Sequence, residues 1–130
     1  MSKLVKALKS ERIYKAIGPY SVATLVNHGS MSILHTSGLL GIDIETNKLV
    51  SDRTDQQAEL CLKYLKEVVE ENNASLEDIA KVTIFLDSMD DFEAVNKIYS
   101  SYFKNHYPAR SCIQVAKLPK SAKIEIEAVA

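Results

Sequence analysis

The sequence predicts an α+β fold in which a mixed β-sheet carries two helices on one face. Three observations support this prediction. Apolar residues recur at helical spacing in two stretches, residues 54–72 and 90–107. Short runs rich in β-branched and aromatic residues, a composition typical of strands, lie around them. The 130 residues show no composition shift and no internal repeat, so we expect one domain over residues 1–130.

The net charge and the hydropathy of the sequence indicate which classes of function are not expected. The formal net charge is −1 and the isoelectric point about 6.3, whereas a nucleic-acid-binding domain usually has a basic face and an isoelectric point above about 9. RNA binding is therefore not expected. No run reaches the roughly 18 apolar residues of a membrane span, and residues 1–9 lack the apolar core of a secretory signal. We expect a cytoplasmic protein, with mitochondrial targeting by this short basic arm as the weaker alternative.

The first third of the chain has the pattern of strands separated by turns. Apolar runs at residues 13–17, 22–26 and 31–37 are separated by short segments that contain glycine. Residues 43–50 have the composition of a loop with one turn.

Two helices are predicted from their apolar stripes and their end signals. Thr54 and Gln57 fit a capping box, in which both side chains satisfy exposed N–H groups at a helix start. The first helix is predicted to end at residues 72–73. The second is predicted to begin near residue 90 and to end before Pro108, because proline disfavours a helical conformation in the residue ahead of it.

Three further strands complete the predicted sheet. Residues 81–86 have the character of a buried strand. Residues 109–116 and 123–129 are predicted to close the chain as a hairpin. Apolar side chains alternate onto both faces of these strands, and two helices on one side cannot cover both. An exposed apolar sheet face is a liability for a monomer, so we expect a homo-oligomer.

Alternation along the last two strands places their charged side chains. Arg110, Cys112 and Gln114 lie on one face, since residues two apart point the same way. Glu125 and Glu127 share a face of the partner strand. Across a hairpin the guanidinium would approach one of the two glutamates, and the register decides which. Two interpretations stay open, a solvated salt bridge of the common kind or an anion-binding site.

Cysteine and histidine do not form the pattern of a metal site or a hydrolytic triad. Cys61 and Cys112 match no C-x-x-C spacing and are interpreted as separate thiols. Cys112 beside Arg110 could act as a thiolate nucleophile, although a small buried strand residue is the commoner case. No G-x-S-x-G motif surrounds Ser37. No two histidines have the i, i+4 spacing of a zinc helix, so no metal is predicted. The histidines are His28, His35 and His106.

Six motifs are far more specific together than any one of them is alone. They are residues 16–21 (AIGPYS), 36–38 (TSG), 82–86 (VTIFL), 89–96 (MDDFEAVN), 108–112 (PARSC) and 124–128 (IEIEA). In this order they closely resemble the RidA family of enamine/imine deaminases, and the resemblance runs from about residue 17 to residue 130. It implies a chorismate-mutase-like fold assembled as a homotrimer, with sites in the clefts between subunits.

The resemblance also implies an activity and roles for named residues. The activity is hydrolysis of 2-iminoacids or 2-enamines, such as 2-aminoacrylate from pyridoxal-phosphate-dependent dehydratases, to 2-ketoacids and ammonia without a cofactor. Arg110 would grip the substrate carboxylate, and Glu125 would hold or activate water and shuttle protons. Cys112 would contribute backbone groups near the imine nitrogen. The remaining pocket residues would be Tyr20, Ser37, Gly38 and Asn96.

The sequence departs from the family pattern at several positions. Leu39 and Val22 stand where glutamine is common, and Gln114 stands where glutamate is common. A leucine at position 39, next to the expected pocket, would favour apolar substrates. The alternatives to a deaminase are a ribonuclease that inhibits translation, and a non-enzymatic ketoacid sensor or holdase.

Overall fold

Six strands and two helices build an α+β fold in the computed structural model, which describes residues 4–130. The strands form one sheet in the order β1-β2-β3-β6-β4-β5. Every neighbouring pair is antiparallel except β4 and β5, which are parallel, so the predicted mixed sheet is confirmed. The elements are β1 Val5–Leu8, β2 Ala23–His28, β3 Met31–Thr36, α1 Thr54–Glu71, β4 Lys81–Leu86, α2 Phe92–Tyr102, β5 Ala109–Gln114 and β6 Ile124–Val129.

Both helices cover one face of the sheet, which we call the helix face. Alternate residues of β4, including Val82 and Ile84, are fully buried beneath the helices. Ile126 of β6 pairs with Ile84 and is buried with it. Burying a large aliphatic side chain contributes about 1.5–3 kcal/mol, so this apolar layer fixes which way each strand faces. The two predicted helices on one face are confirmed.

The opposite side of the sheet, the open face, carries apolar side chains that no element of residues 4–130 covers. Val5 pairs with Val26, which pairs in turn with Ile33, so the three share this face. Ile113 lies on the same face of β5. Val5, Ile33 and Ile113 are exposed, and the expected uncovered apolar face is therefore present.

The predicted hairpin of the last two strands is wrong. β4 lies between β5 and β6, pairing in parallel with the first and antiparallel with the second. The physical reason is burial, because Ile124 and Ile126 are both 0% exposed and β6 lies inside the sheet, between β3 and β4. The crossover through α2 instead places β5, the more polar strand, at the edge.

The predicted capping box at the start of α1 is also wrong. The N-cap is Arg53, and its side chain makes no capping hydrogen bond. The Thr54 hydroxyl instead donates to Asp91 Oδ2 (2.7 Å). Gln57, 0% exposed, donates to the Ser51 carbonyl (2.8 Å) and accepts from the Lys123 N–H (2.9 Å). Both side chains therefore connect the helix start to other segments.

The remaining differences lie near the chain start and at the end of the second helix. Residues 13–17 are not a strand, although Ile13 and Tyr14 are buried and the Leu40 N–H donates to the Tyr14 hydroxyl (2.7 Å). Strand β1 was not predicted. Helix α2 ends at Tyr102, five residues earlier than expected. Of the basic arm at residues 1–9, residues 1–3 lie outside the described part. None of the helices in residues 4–130 has the length and apolarity needed to cross a membrane.

The contact between Gly41 and α1 makes a first prediction. A Cβ at Gly41 would lie 2.7 Å from the Cα and 2.9 Å from the carbonyl oxygen of Gln57. These backbone atoms belong to a packed helix, so Gly41→Ala should lower the free energy of unfolding by about 1–3 kcal/mol, the usual cost of overpacking. Urea unfolding followed by circular dichroism, at fixed protein concentration, measures this change.

A second glycine supplies the control for that measurement. Gly29 has a φ of 64°, and a Cβ there would meet nothing within 4 Å. Asparagine tolerates this backbone conformation, so Gly29→Asn should change the unfolding free energy by no more than about 0.5 kcal/mol. Equal stabilities for Gly41→Ala and the wild type would contradict the prediction.

Candidate active site

All the predicted site residues except Cys112 line one of two separate clefts of the chain. The first, which we call the Arg110 cleft, has a volume of about 370 Å³ and lies where α2 meets the start of β5. Its lining residues are Asn96, Tyr99, Ser100, Tyr107, Pro108 and Arg110. The second, the Glu125 cleft, measures about 450 Å³. Its lining residues are Ile17, Gly18, Pro19, Tyr20, Ser37, Gly38, Leu40, Pro119 and Glu125.

Two aromatic rings of α2 hold the Arg110 side chain. Arg110 pairs with Val82 and therefore points to the helix face. Its guanidinium carbon lies 4.8 Å from the ring centroid of Tyr99 and 5.6 Å from that of Phe92. Cation–π contacts of this kind contribute about 0.5–2 kcal/mol. They orient the guanidinium without using its N–H donors.

The predicted pairing of Arg110 with a glutamate of the last strand is not formed. Within residues 4–130, no carboxylate lies within 4.0 Å of the guanidinium, since the ion pairs there involve only Arg12 and Arg53. The cause is the strand order, because β4 separates β5 from β6 and Glu125 points to the open face. The cation thus keeps its donors available, as an anion-binding site requires.

Cys112 and Gln114 share the helix face with Arg110 but do not line its cleft. Burial raises the pKa of the Cys112 thiol, and the nearby Arg110 charge only partly opposes this. The thiol is therefore protonated at neutral pH, which disfavours the nucleophile interpretation. Gln114 accepts a hydrogen bond from the Met89 N–H (2.8 Å), so its amide connects β5 to the segment before α2.

In the second cleft the Glu125 carboxylate lies directly over Gly38. A Cβ at Gly38 would be 2.5 Å from both Cδ and Oε2 of Glu125. A side chain at position 38 would therefore require the Glu125 carboxylate to move from this position. The adjacent Ser37 hydroxyl donates to the Ser21 carbonyl (2.5 Å), and the Tyr20 hydroxyl accepts from the Ile17 N–H (3.2 Å). These bonds fix the loop that forms the rim of the cleft.

The surroundings of Glu125 favour its protonated form. Burial is the largest cause that raises the pKa of this half-buried carboxyl, and the negative charge of Glu127 on the same strand face is the second. An acid whose pKa moves toward neutrality is better suited to both accept and donate protons. Glu125 is therefore a candidate general acid/base.

Two residues that depart from the family pattern, Leu39 and Val22, are buried beside the Glu125 cleft. Leu39 is only 2% exposed and pairs with Ile126 through two backbone hydrogen bonds (2.7 and 3.0 Å), so its side chain belongs to the core. Leu40, which is also 2% exposed, lines the Glu125 cleft, and Leu39 lines a small adjoining space together with Tyr20 and Gly38. The influence of Leu39 on substrate preference stays a prediction. Val22 is buried as well.

Tyr99 belongs to the apolar stripe of the second helix and is buried, at 3% exposed, but it also lines the Arg110 cleft, which the stripe does not predict. Among residues 4–130, no group of three His, Cys, Asp or Glu side chains is arranged to hold a metal ion. The structure therefore brings Asn96 together with Arg110, and Tyr20, Ser37 and Gly38 together with Glu125. It does not bring these two groups together within one chain.

An arginine with free donors and a glutamate with a raised pKa are typical of a small enzyme that acts on a small anion by acid–base chemistry. This chain belongs to the family described as Endoribonuclease L-PSP, whose model matches residues 10–130. Relatives that are named as reactive intermediate or imine deaminases confirm the resemblance to the RidA family.

Three relatives illustrate the similarity. The human 2-iminobutanoate/2-iminopropanoate deaminase is 39% identical over 100% of this chain and 93% of its own. Reactive Intermediate Deaminase A, chloroplastic, of Arabidopsis thaliana is 41% identical over 96% of this chain and 65% of its own. The crystal structure of Escherichia coli TdcF with bound serine superposes with a TM-score of 0.86 at 38% identity, covering 96% of this chain and 97% of that one.

The charge of Glu127 provides a prediction for Glu125. Glu127→Gln removes the second cause of the raised Glu125 pKa, so that pKa should fall. It should nevertheless stay above the ordinary glutamate value, because burial is the larger cause. A carboxyl-carbon NMR titration of Glu125 measures both effects. Glu45→Gln, on an exposed loop, is the control and should leave the Glu125 pKa unchanged. An unchanged pKa in Glu127→Gln would contradict this account.

Proposed function

We propose that this protein is a 2-iminobutanoate/2-iminopropanoate-type deaminase. It hydrolyses reactive 2-imines and 2-enamines, such as 2-aminoacrylate, to 2-ketoacids and ammonia without a metal or organic cofactor. The observation that carries the proposal is the combination of an arginine with free donors and a glutamate with a raised pKa. The activities in the names of the human and Arabidopsis relatives support it.

The chemistry needs positioning and one acid/base group. Arg110 binds the substrate carboxylate through two parallel N–H donors, for which a planar guanidinium is suited. Glu125 takes a proton from water as the oxygen attacks the imine carbon, and it passes that proton to the nitrogen, which gives a carbinolamine. The carboxylate then takes the hydroxyl proton as the C=O bond forms and passes it to the leaving nitrogen. One water is consumed, the C–N bond breaks and ammonia leaves. Backbone groups of Cys112 lie near the imine nitrogen, and Tyr20, Ser37, Gly38 and Asn96 complete the pocket.

In this proposal, residues of two chains form each active site. Arg110 faces the helix face near the β5 edge and Glu125 faces the open face, so one chain cannot place both on one small substrate. A second copy that covers the apolar open face can bring its Arg110 cleft to the Glu125 cleft of the first. We propose a homotrimer of chorismate-mutase-like, single-domain subunits, which completes three such sites.

The substrate and product classes follow from the same two groups. The ligands are small 2-iminoacids and 2-ketoacids, and pyridoxal-phosphate-dependent dehydratases supply the reactive imines. A cytoplasmic protein would meet these intermediates where the dehydratases release them. The apolar wall formed by Ile17, Leu40 and Pro119 suits small aliphatic substrate side chains.

The central prediction concerns substitution of the two proposed catalytic groups. Arg110→Ala should lower kcat/KM about tenfold to a hundredfold, because hydrogen bonds to charged groups contribute about 1.5–3 kcal/mol. Glu125→Gln should lower kcat by about a hundredfold if the carboxyl is the acid/base. The measurement is ketoacid formation from 2-aminoacrylate generated in place by a serine dehydratase.

The matched control is Arg53→Ala, which removes an exposed arginine paired with Asp55 and should leave the rate unchanged. If wild-type protein gives no acceleration over the dehydratase alone, the deaminase proposal fails. Binding of 2-oxobutanoate without turnover would favour the ketoacid sensor. Suppression of client aggregation without turnover would favour the holdase.

The two-chain site predicts complementation between inactive variants. In mixed oligomers of Arg110→Ala and Glu125→Gln chains, some sites receive the intact arginine from one chain and the intact glutamate from the other. Random mixing into trimers should restore about a quarter of the wild-type sites. Activity is measured after co-refolding of the two variants and compared with each variant refolded alone. No recovery in verified mixed oligomers would place both groups of each site in one chain.

A ribonuclease is the second candidate, since the matching family carries that description. The net charge of −1 counts against a surface that binds RNA. RNA cleavage that persists in repurified Arg110→Ala protein, with RNA binding that weakens steeply with salt, would favour this candidate over the deaminase.

A further inference from the structure

Two buried polar atoms in the Arg110 cleft have no hydrogen-bond partner. They are the Asn96 Oδ1 and the Tyr99 hydroxyl, and in residues 4–130 no other buried side-chain oxygen or nitrogen lacks one. The two residues are three apart on α2 and therefore share a helix face. Buried polar atoms in native proteins are nearly always paired, and each exception calls for an explanation. Both exceptions line the Arg110 cleft, but only the Tyr99 hydroxyl can donate to an anion, since the Asn96 Oδ1 is an acceptor.

Two buried tyrosines and the partly buried Tyr102 show what a purely structural hydroxyl does in this chain. The Tyr64 hydroxyl donates to the Ile42 carbonyl (2.5 Å), and the Tyr14 hydroxyl accepts from the Leu40 N–H (2.7 Å). Tyr102, one turn beyond Tyr99 on α2, donates to Glu59 Oε1 (2.7 Å). A phenylalanine would fill the space at position 99 without leaving a buried hydroxyl unpaired, so packing alone does not account for a tyrosine there.

Tyr99 is held rigidly against Arg110. The side chain is 3% exposed, and its ring packs against Phe103 with centroids 4.5 Å apart. The guanidinium lies over the same ring at 4.8 Å. Burial raises the pKa of Tyr99 to about 12, so the hydroxyl keeps its proton at any physiological pH. Arginine offers only donors. The pair can therefore bind one acceptor together, and a carboxylate has only acceptor oxygens.

We propose that Tyr99 is a positioning residue for the bound carboxylate. Its ring orients the Arg110 guanidinium, and its hydroxyl donates a hydrogen bond to the carboxylate that Arg110 grips, beside Asn96. This inference rests on the proposed function, in that it takes the Arg110 cleft to bind the carboxylate of a 2-iminoacid or 2-ketoacid.

The test is Tyr99→Phe in the full-length protein, which keeps the ring and removes only the hydroxyl. The dissociation constant for 2-oxobutanoate, measured by calorimetry, should rise about 3- to 10-fold, as expected for one lost hydrogen bond. In the dehydratase-coupled assay KM should rise by a similar factor with kcat nearly unchanged, the signature of lost uniform binding. In an Arg110→Ala background the same substitution should add less than about a twofold loss, because the carboxylate is no longer held there.

The matched control is Tyr102→Phe, which removes a hydroxyl from the same helix outside the cleft and should leave the affinity for 2-oxobutanoate unchanged. A stability measurement separates binding from structure. Removing an unpaired buried hydroxyl should leave the ligand-free protein as stable as the wild type or more stable. Weaker binding by a protein that is not less stable supports the inference.

Two results would overturn it. The first is wild-type affinity and wild-type KM in Tyr99→Phe. The second is a binding loss that is matched by Tyr102→Phe or that persists in full after Arg110 is removed. Failure of the proposed function looks different, because the wild-type protein itself would then neither turn over 2-aminoacrylate nor bind 2-oxobutanoate.

Discussion

Strand β6 hydrogen-bonds to β4 along its whole length on one side and pairs with β3 on the other, so its side chains divide between two different environments. Ile124 and Ile126 enter the apolar layer under the helices. Glu125, between them, must face the other way. Burying the two isoleucines contributes about 3–6 kcal/mol together, and the alternation of side chains along a strand then directs Glu125 to the opposite face. The core therefore imposes the position of the acid.

The same strand order keeps two opposite charges apart. The Arg110 guanidinium and the Glu125 carboxylate lie on opposite faces of the sheet, on strands that β4 separates, so they form no ion pair. An ion pair would have lowered the pKa of the carboxyl and engaged the guanidinium donors. With β4 between them, Arg110 is held by aromatic rings and Glu125 has a raised pKa. Because the two groups are apart within the chain, Arg110 keeps the free N–H donors that ligand binding would need, and Glu125 keeps the raised pKa that proton transfer would need.

Local patterns in the sequence were enough to predict some elements and not others. Both helices, β4 and the face alternation of the last two strands follow from periodicity, a property of neighbouring residues. The partners of β6 do not, because they depend on how much apolar surface each strand buries once all six are assembled. The capping box failed for a similar reason, since Gln57 finds stronger partners in Ser51 and Lys123. The place of Tyr99 in the Arg110 cleft was not predicted, because periodicity cannot distinguish a core aromatic from one that carries a guanidinium.

Six of the seven predicted site residues, all except Cys112, line the two clefts, and their chemical roles stay predictions. Among them Gly38 has a consequence for how such chains diverge. The carboxylate of Glu125 occupies the space that any side chain at position 38 would need. The side chains at positions 38 and 125 therefore restrict each other, although the two positions are 87 residues apart in the sequence. In a descendant with a side chain at position 38, the carboxylate at position 125 must move or be replaced by a shorter residue. In a descendant without the acid, position 38 can hold residues other than glycine. Covariation of these two positions would distinguish chains that keep the acid from chains that have abandoned it.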